Sequence, residues 1–160
     1  MDICAFLRKH SIDFLRFDHP AVFTCEESAK LPKMPGADTK NLFLKAEKDE
    51  RYFLVSVPHD KRVDLKALAP LLSERRLTFG SAERLKEYLG VDPGSVTILG
   101  LIHDKDHRVT FVIDERIWRA DRIQSHPLTN TATLVIPIDG LKKFLSLTGH
   151  EARVMDVPGK

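Results

Sequence analysis

The sequence has few of the features that mark specialised classes of protein. It contains only two cysteines, Cys4 and Cys25, and these are too far apart for a CxxC metal or redox motif. No apolar run approaches the roughly 20 residues of a membrane-spanning helix. The N-terminal stretch "MDICAFLRKH" carries an acid and no long apolar region. We therefore expect no disulfide framework, membrane span or signal peptide, and we expect a cytoplasmic location.

An excess of charge of either sign is also missing. The net charge is +2 from 25 basic and 23 acidic residues, so nothing argues for a DNA-binding protein. The 160 residues, of which 42% are apolar, suffice for one domain with a sizeable core. The sequence thus predicts a single globular domain over residues 1–160.

Predicted strands outnumber predicted helices along the chain. The expected strands are Asp13–Phe17, "TKNLFLKA", "RYFLVSVP", "RLTFG", "SVTILGLI", "RVTFVIDE", "TATLVIPI" and "EARVMDV". The first expected helix is capped by Asp2 and extends to about His10. Further helices are expected over Cys25–Leu31, Asp64–Leu72, Ser81–Leu89 and "GLKKFLSLT", the last with Asp139 as its cap. Hairpin links dominate, so we predict an α+β fold with a mostly antiparallel, barrel-like mixed sheet surrounded by helices.

A lysine lies on an apolar face of one predicted strand. The strand period of two places Lys40, Leu42 and Leu44 on one face of "TKNLFLKA", and Asn41 and Phe43 on the other. An ammonium beside two leucines loses hydration unless a polar or anionic group approaches it. Lys40 therefore either lies at the sheet margin with its charge in water or binds an anionic ligand.

The stretch "HPLTNTATLVIP" combines a polar turn with a strand. Its second half contains the Thr, Val and Ile residues that favour strands. Its first half brings His126 and three small hydrogen-bonding residues, Thr129, Asn130 and Thr131, into one turn. A hairpin does not need so many polar groups, and this pattern favours a ligand pocket.

Three motifs together resemble a known family. "PGADTKNLFL", "VDPGSVTILGL" and "HPLTNTATLVI" occur in this order, within a similarity that extends from "HPAVFTCEES" to the C-terminal helix. They resemble the YbaK family, which is related to the editing insertion of bacterial prolyl-tRNA synthetases. Within it, the chain is most similar to the trans-editing prolyl-tRNA deacylases, the ProX or ProXp-ala group.

The resemblance implies an activity and a set of site residues. The activity is hydrolysis of the ester that links a wrong amino acid, typically alanine, to the 3′ adenosine of tRNA for proline. Lys40, Asn41 and His126 match the family's key residues, and Gly100 matches the glycine of its substrate loop. The "TNTAT" run adds Asn130, Thr131 and Ala132 as substrate-binding residues. Many relatives have a proline where this chain has Ile98 or Leu99, a departure that affects the loop around Gly100.

The chemistry of such a site needs few groups. Aminoacyl esters are labile, so an enzyme must hold the ester, stabilise developing oxyanion charge and exclude proline. Water serves as the nucleophile, and we expect neither a metal nor a cofactor. Small or apolar side chains would accept alanine and block a pyrrolidine ring. The candidates for this wall are Phe23, Thr24, Met34 and Ala132.

Other partners and functions stay open at this point. The expected partner is the acceptor end of a mischarged tRNA, with prolyl-tRNA synthetase as a further candidate. A deacylase for Cys- or Ser-tRNA is one alternative, and a non-catalytic tRNA- or synthetase-binding module is another. The "HDKDH" stretch is expected to be a solvated turn rather than a metal site. The basic clusters around Lys61, Arg75 and Arg116 form either a solvated surface or contacts to phosphates.

Overall fold

The structure is a computed structural model, and it describes residues 1–21 and 34–160. The expected helix Cys25–Leu31 lies outside these residues. The helices are α1 (Ile3–Lys9), α2 (Leu65–Leu71), α3 (Ala82–Leu89), α4 (Glu115–Trp118) and α5 (Ile138–Thr148), with two short 3₁₀ helices at Pro93–Ser95 and Ile98–His103. The strands are β1 (Leu15–Asp18), β2 (Thr39–Ala46), β3 (Tyr52–Pro58), β4 (Leu77–Phe79), β5 (Val109–Asp114), β6 (Arg122–Ser125), β7 (Ala132–Pro137) and β8 (Ala152–Met155).

Five of these strands form one mixed sheet in the order β4-β2-β3-β5-β8. The predicted hairpin of β2 and β3 is antiparallel, and β4 pairs antiparallel with the far end of β2. Strand β5 runs parallel to β3, and β8 runs parallel to β5. The connections into β5 and β8 therefore pass through helical segments rather than tight hairpins.

The other three strands form an antiparallel sheet in the order β1-β7-β6. Ala37, just before β2, pairs with Ile123 of β6 and connects the two sheets. The mixed, mainly antiparallel α+β prediction is confirmed. The described strands do not close into a barrel, so the barrel-like part of the prediction is not confirmed.

Two hydrophobic cores cover the two faces of the larger sheet. Phe43 of β2 packs into the larger core with residues of the three-stranded sheet, whereas Leu44 and Ala46 pack into a smaller core with α2. The alternation predicted for β2 is thus confirmed. None of the helices in the described ranges is long and apolar enough to cross a membrane.

The predicted strand "SVTILGLI" is wrong. Residues Ile98–His103 form a 3₁₀ helix, and Ile98, Leu99, Gly100 and Leu101 are all buried. A run that is buried on every side shows no period, so the sequence alone does not separate a strand from a helical turn. The Thr97 hydroxyl accepts a hydrogen bond from the Leu99 amide and so caps the turn.

The start of α5 also differs from the prediction. Asp139 lies in the first turn of the helix, and the N-cap position is Pro137, which has no side-chain capping bond. An acid in the first turn still interacts favourably with the helix dipole. The helix ends as predicted at Gly149, whose φ of 79° is in the left-handed region that glycine tolerates.

Candidate functional site

The candidate catalytic residues Lys40 and Asn41 lie at the start of β2. Register places Lys40 opposite Val57 and Asn41 opposite Ser56 on β3. Since Val57 belongs to the smaller core, Lys40 leaves the strand on that side, and Asn41 leaves it toward the three-stranded sheet. Lys40 is half-buried, and its ammonium has no hydrogen bond or ion pair with any described residue.

Asn41 is fixed by hydrogen bonds at both ends of its amide. The buried Ser56 hydroxyl donates to Oδ1 of Asn41. The Asn41 Nδ2 donates to the main-chain oxygen of Val96 at 3.3 Å. These two partners define which end of the amide is oxygen and which is nitrogen, and they connect the β2–β3 hairpin to the loop before Ile98–His103.

Thr97 connects the same loop to the segment that contains His126. Its hydroxyl donates to the main-chain oxygen of His126 at 2.7 Å. Because that bond uses the only hydroxyl proton of Thr97, the Ser125 hydroxyl is the donor in their 3.0 Å contact. Residues from all three sequence motifs are therefore joined by hydrogen bonds.

Gly100 has a packing reason to be glycine. A Cβ at this position would lie 2.9 Å from the main-chain oxygen of Leu89, at the end of α3. The Gly100 amide already donates to the main-chain oxygen of Thr97 at 3.1 Å. The close approach of the turn to α3 thus explains the residue, and a contact of Gly100 with substrate stays a prediction.

Only one of the two ring nitrogens of His126 is hydrogen-bonded to a residue that the structure describes. Its Nδ1 lies 3.2 Å from the main-chain oxygen of Ala132, and a carbonyl only accepts, so Nδ1 carries the proton. Nε2 is then an acceptor with no hydrogen bond to a described residue. Burial lowers the pKa of His126, and the electrostatic effect of His19 acts in the same direction, while the Ala132 carbonyl and Asp38 oppose them. His126 is therefore neutral at pH 7.

The turn after His126 has a strained backbone. Leu128 has a φ of 67°, in the left-handed region that a branched side chain rarely adopts, and its side chain packs against the larger core. Thr131 is exposed and its hydroxyl lies 3.2 Å from that of Thr129, while Asn130 is half-exposed. Such strain persists only where the surroundings impose it, and it is frequent at ligand sites.

The four residues expected to form the wall of the pocket differ in how the structure describes them. Ala132 is fully buried, and it supports the site through its carbonyl rather than through an exposed methyl group. Met34 is half-buried, and its carbonyl accepts from the Gln124 side chain at 3.1 Å. Phe23 and Thr24 lie outside the described residues, so their place in the wall stays a prediction.

His19 belongs to the surroundings of the site, which the sequence did not establish. Its amide donates to the main-chain oxygen of Thr131, and its Nε2 lies 2.9 Å from the Thr133 hydroxyl. Its Nδ1 lies 2.9 Å from the carbonyl of Pro20, so Nδ1 is the donor and Nε2 accepts from Thr133. The only sequence signal was a histidine directly before a proline.

The "HDKDH" stretch is not a solvated turn throughout. Asp104 is buried, accepts from the amides of Arg108 and Val109 at 2.9 Å each, and pairs with the buried His150 at 2.9 Å. Long-range pairing of this kind leaves no local signal in the sequence. Among residues 1–21 and 34–160, no group of three or more His, Cys, Asp and Glu side chains could hold a metal ion.

The basic clusters separate into internal and exposed members. The Lys61 ammonium is only 13% exposed and pairs with the buried Asp114 at 2.6 Å, so Lys61 is a structural residue. Arg75 and Arg76 are exposed and, with Lys66, line a concavity of about 560 Å³. The concavity lies at the end of β2 opposite Lys40, because Leu77 of β4 pairs with Ala46.

Comparison with known sequences gives consistent matches. Residues 19–144 match the family described as aminoacyl-tRNA editing domain. The chain is 38% identical over 148 residues to the Danio rerio prolyl-tRNA synthetase associated domain-containing protein 1, covering 91% of this chain and 80% of that protein. It is 29% identical over 157 residues to the prolyl-tRNA editing protein ProX of Acetoanaerobium sticklandii, covering 97% and 95% of the two chains.

Solved structures share the fold at lower identity. The hypothetical protein APE2540 superposes with a TM-score of 0.74 at 17% identity, covering 98% of this chain and 99% of that one. A protein described as a candidate trans-editing enzyme for prolyl tRNA synthetase gives a TM-score of 0.67 at 23% identity, covering 92% and 87%. At these identities the likeness concerns the fold alone.

Proposed function

This chain belongs to the aminoacyl-tRNA editing domain family, and from that premise we propose that it hydrolyses mischarged tRNA for proline, with Ala-tRNA(Pro) as its substrate. One observation carries the proposal. The Nε2 of His126 has no hydrogen bond to any residue in the described part of the chain, and hydrogen bonds join its segment to the loop at Val96 and to Asn41 at the start of β2. Relatives named for prolyl-tRNA editing or for association with prolyl-tRNA synthetase support the choice of tRNA.

The proposed reaction is an ester hydrolysis. Water adds to the ester carbonyl carbon, the bond from that carbon to the ribose oxygen breaks, and the ribose oxygen takes a proton. Alanine and free tRNA leave. Among the described residues, no serine or cysteine is hydrogen-bonded to a ring nitrogen of His126. This fits water as the nucleophile, with the neighbouring ribose hydroxyl of the substrate as a helper.

Lys40 supplies positive charge in this proposal. Its ammonium has no anionic partner among the described residues, and it contacts the ester carbonyl oxygen or the terminal phosphate-ribose oxygens. Strand β4 pairs with β2 only from Leu44 onward, so the edge of β2 at Lys40 is not covered by β4. The flexible stem of Lys40 reaches the substrate around this edge.

His126 positions the substrate in its neutral form. A neutral Nε2 accepts a hydrogen bond from the α-ammonium of the amino acid or from a hydroxyl of the terminal adenosine. Asn41 keeps a second N–H on Nδ2 beyond its bond to Val96, and this group is available to a substrate oxygen. Exclusion of proline is steric, because a rigid wall rejects a larger ring more strongly than an added methylene rewards binding.

A panel of charged tRNAs tests this function. The pure protein is incubated with Ala-, Ser-, Cys- and Pro-tRNA(Pro), and also with Ser- and Cys-tRNA on their own tRNAs. We expect Ala-tRNA(Pro) to be hydrolysed fastest and Pro-tRNA(Pro) to stay charged. Preference for a Cys- or Ser-ester would identify the alternative deacylase, and binding without hydrolysis of any ester would identify a non-catalytic module.

Lys40→Met tests the lysine, because methionine keeps a flexible stem and removes the charge. We expect kcat/KM to fall by about 100-fold or more, the scale of losing one oxyanion contact. The melting temperature should change little, because Lys40 has no partner in the described fold to lose. Lys40→Arg should rescue activity only in part, since the planar guanidinium differs in shape.

The control for this variant is Lys143→Met on α5, an exposed lysine outside the site. Equal activity of Lys40→Met and Lys143→Met would return Lys40 to a structural role at the sheet margin.

The concavity of Lys66, Arg75 and Arg76 is the proposed contact for acceptor-stem phosphates. Ala46 lies six residue steps along β2 from Lys40, which is about 20 Å at the rise of a strand. Because contacts between basic side chains and phosphates release counterions, affinity for tRNA should fall as the salt concentration rises. The double variant Arg75→Gln, Arg76→Gln should reduce the slope of log K against log salt concentration by about 1 to 2. The control is Arg153→Gln on β8, and a slope unchanged by the double variant would contradict the contact.

A further inference from the structure

Thr97 lies between the two segments that the proposed reaction brings to the substrate. It precedes the 3₁₀ helix Ile98–His103, and its side chain points toward the residues that begin the His126 turn. We infer that Thr97 is a positioning residue for the proposed deacylation, because its hydroxyl sets the main-chain position of His126. This inference rests on the proposed function and adds a residue that acts through His126 rather than on the substrate.

The hydroxyl of Thr97 has its hydrogen-bonding capacity fully used. It donates to the His126 carbonyl at 2.7 Å, and it accepts from the Leu99 amide at 3.2 Å and from the Ser125 hydroxyl at 3.0 Å. Thr97 is fully buried, so water does not replace these bonds when the hydroxyl is removed. When a buried donor or acceptor loses its partner, either the structure shifts to supply another partner or the fold is destabilised by the desolvation of that group.

His126 is held at two points, and Thr97 provides one of them. The ring is held through Nδ1 by the Ala132 carbonyl, and the main chain is held through its own carbonyl by Thr97. Both hydrogen bonds are needed to fix the position of Nε2. If the bond from Thr97 is lost, the main chain of His126 can move while the ring stays bonded to the Ala132 carbonyl. The left-handed backbone of Leu128, two residues on, shows that this segment keeps its shape only under constraint from its surroundings.

The loop that contains Thr97 is also hydrogen-bonded to Asn41, through the neighbouring residue Val96. The Val96 carbonyl accepts from the Asn41 side chain, and the Thr97 hydroxyl donates to the His126 carbonyl, so adjacent residues fix Asn41 and His126, two of the three candidate catalytic residues, relative to one loop. A misplacement of about 1 Å in a reacting geometry can cost about 100-fold in rate. Loss of the Thr97 hydroxyl should therefore reduce turnover more than it reduces binding of tRNA, most of which lies outside this contact.

The experiment compares Thr97→Val, Thr97→Ser and Thr148→Val in single-turnover hydrolysis of Ala-tRNA(Pro). Valine keeps the volume and removes the hydroxyl, whereas serine keeps the hydroxyl. Thr148→Val is the matched control, because Thr148 also bonds a carbonyl, that of Leu145, and a histidine, His150, but far from the site. We expect Thr97→Val to lower the maximal rate by about 10- to 100-fold with little change in KM, and Thr97→Ser to restore most of it.

Two outcomes would overturn the inference while leaving the proposed function intact. One is a maximal rate in Thr97→Val, corrected for the folded fraction, that equals the wild-type rate. The other is an equal loss in Thr148→Val, which would mean that both variants act through stability. Loss of thermal stability in Thr97→Val is expected and does not by itself decide the matter, so the rate is measured well below its melting temperature.

A measurement without substrate separates this inference from the proposed function. NMR titration of the His126 ring reports its surroundings, in which His19 and Asp38 are the titratable groups that act on it and Ala132 supplies the carbonyl. In Thr97→Val the ring should loosen, gain hydration and titrate at higher pH than in wild type, and Thr148→Val should leave it unchanged. An unchanged titration in Thr97→Val would contradict the positioning role even if wild-type protein hydrolysed no tested tRNA.

Discussion

Two histidines of this protein are both largely buried and hydrogen-bonded, yet they differ in what their rings leave free. His126 donates from Nδ1 to the Ala132 carbonyl and keeps Nε2 without a partner among the described residues. His150 has both nitrogens engaged, Nδ1 with the Thr148 hydroxyl and Nε2 with Asp104, at 2.9 Å each. The Thr148 hydroxyl proton is directed to the Leu145 carbonyl, so Nδ1 of His150 is a donor as well.

The comparison separates a histidine that we propose to contact substrate, His126, from one whose two ring nitrogens are both used within the fold, His150. One ring nitrogen of His150 lies against the Thr148 hydroxyl and the other against the Asp104 carboxylate. Burial alone would raise the pKa of Asp104, but the hydrogen bonds from His150, Val109 and Arg108 hold it below its usual value. The pair fastens the end of α5 to the turn before β5. His126 remains neutral and has a lone pair for a substrate.

The largest expected effect follows from removing His150. His150→Ala leaves the buried Asp104 with its two amide bonds and without its hydrogen bond from His150, and we expect the free energy of unfolding to fall by about 3 kcal/mol. Urea unfolding measures this loss. The deacylation rate per folded molecule should stay at the wild-type value. A stability equal to wild type would mean that the pair does not fasten α5, and a lowered rate would mean that the two regions are not independent.

His126→Ala should have the opposite profile. We expect kcat/KM for Ala-tRNA(Pro) to fall by about 100-fold, because the substrate loses its hydrogen-bond partner, with a smaller change in unfolding free energy than in His150→Ala. The same urea and single-turnover measurements apply to both variants. If His126→Ala kept normal activity, the free Nε2 would have no part in the reaction and the comparison would lose its functional meaning.

The smallest expected effect is that of pH on stability. It should appear in one pH range for His126 and in a lower one for Asp104, the partner of His150. The pKa of His126 is below its usual 6.5 in the folded state, so the unfolded chain takes up this proton first and stability falls as pH drops below about 6.5. The pKa of Asp104 is below its usual 3.8, so its contribution is present above that value and is lost as pH falls through the lower folded value.

Deacylation activity should decline in the pH range in which His126 takes up a proton, and not further in the lower range in which Asp104 does. Protonation of His126 removes the acceptor on Nε2, so the ratio of wild-type to His126→Ala rates should decrease toward one as the pH falls through the folded pKa of His126. The ratio cancels the intrinsic pH dependence of ester hydrolysis. A ratio that stays constant across the pH range in which NMR shows the His126 ring to take up its proton would show that the charge of His126 does not matter.

Much of the fold and the family could be predicted from the sequence. The alternation in "TKNLFLKA" placed Phe43 and Leu44 on opposite faces, and the two cores confirm it. The three motifs indicated the editing family, and the match over residues 19–144 confirms that resemblance. These predictions succeeded because periodicity and a long set of residues in order are local or cumulative signals.

The environment of the candidate site could not be predicted in the same way. Nothing near Thr97 in the sequence indicates a bond to His126, which is 29 residues away. Nothing in "HDKDH" indicates that Asp104 is buried against His150, 46 residues further on. Contacts between distant segments depend on how the elements pack, and a single sequence carries no direct record of them.

The sequence by itself determined the period of β2, the ends of two helices at Leu89 and Thr148, and the identity of Lys40, Asn41 and His126 as chemically distinctive residues. Only the tertiary structure decided which of the two histidines, His126 or His150, keeps a ring nitrogen without a partner among the described residues, and that Ile98–His103 is a 3₁₀ helix rather than a strand. The physical reason is that backbone periodicity and capping depend on neighbouring residues. The protonation and exposure of a side chain depend instead on every group that packing brings within hydrogen-bonding distance.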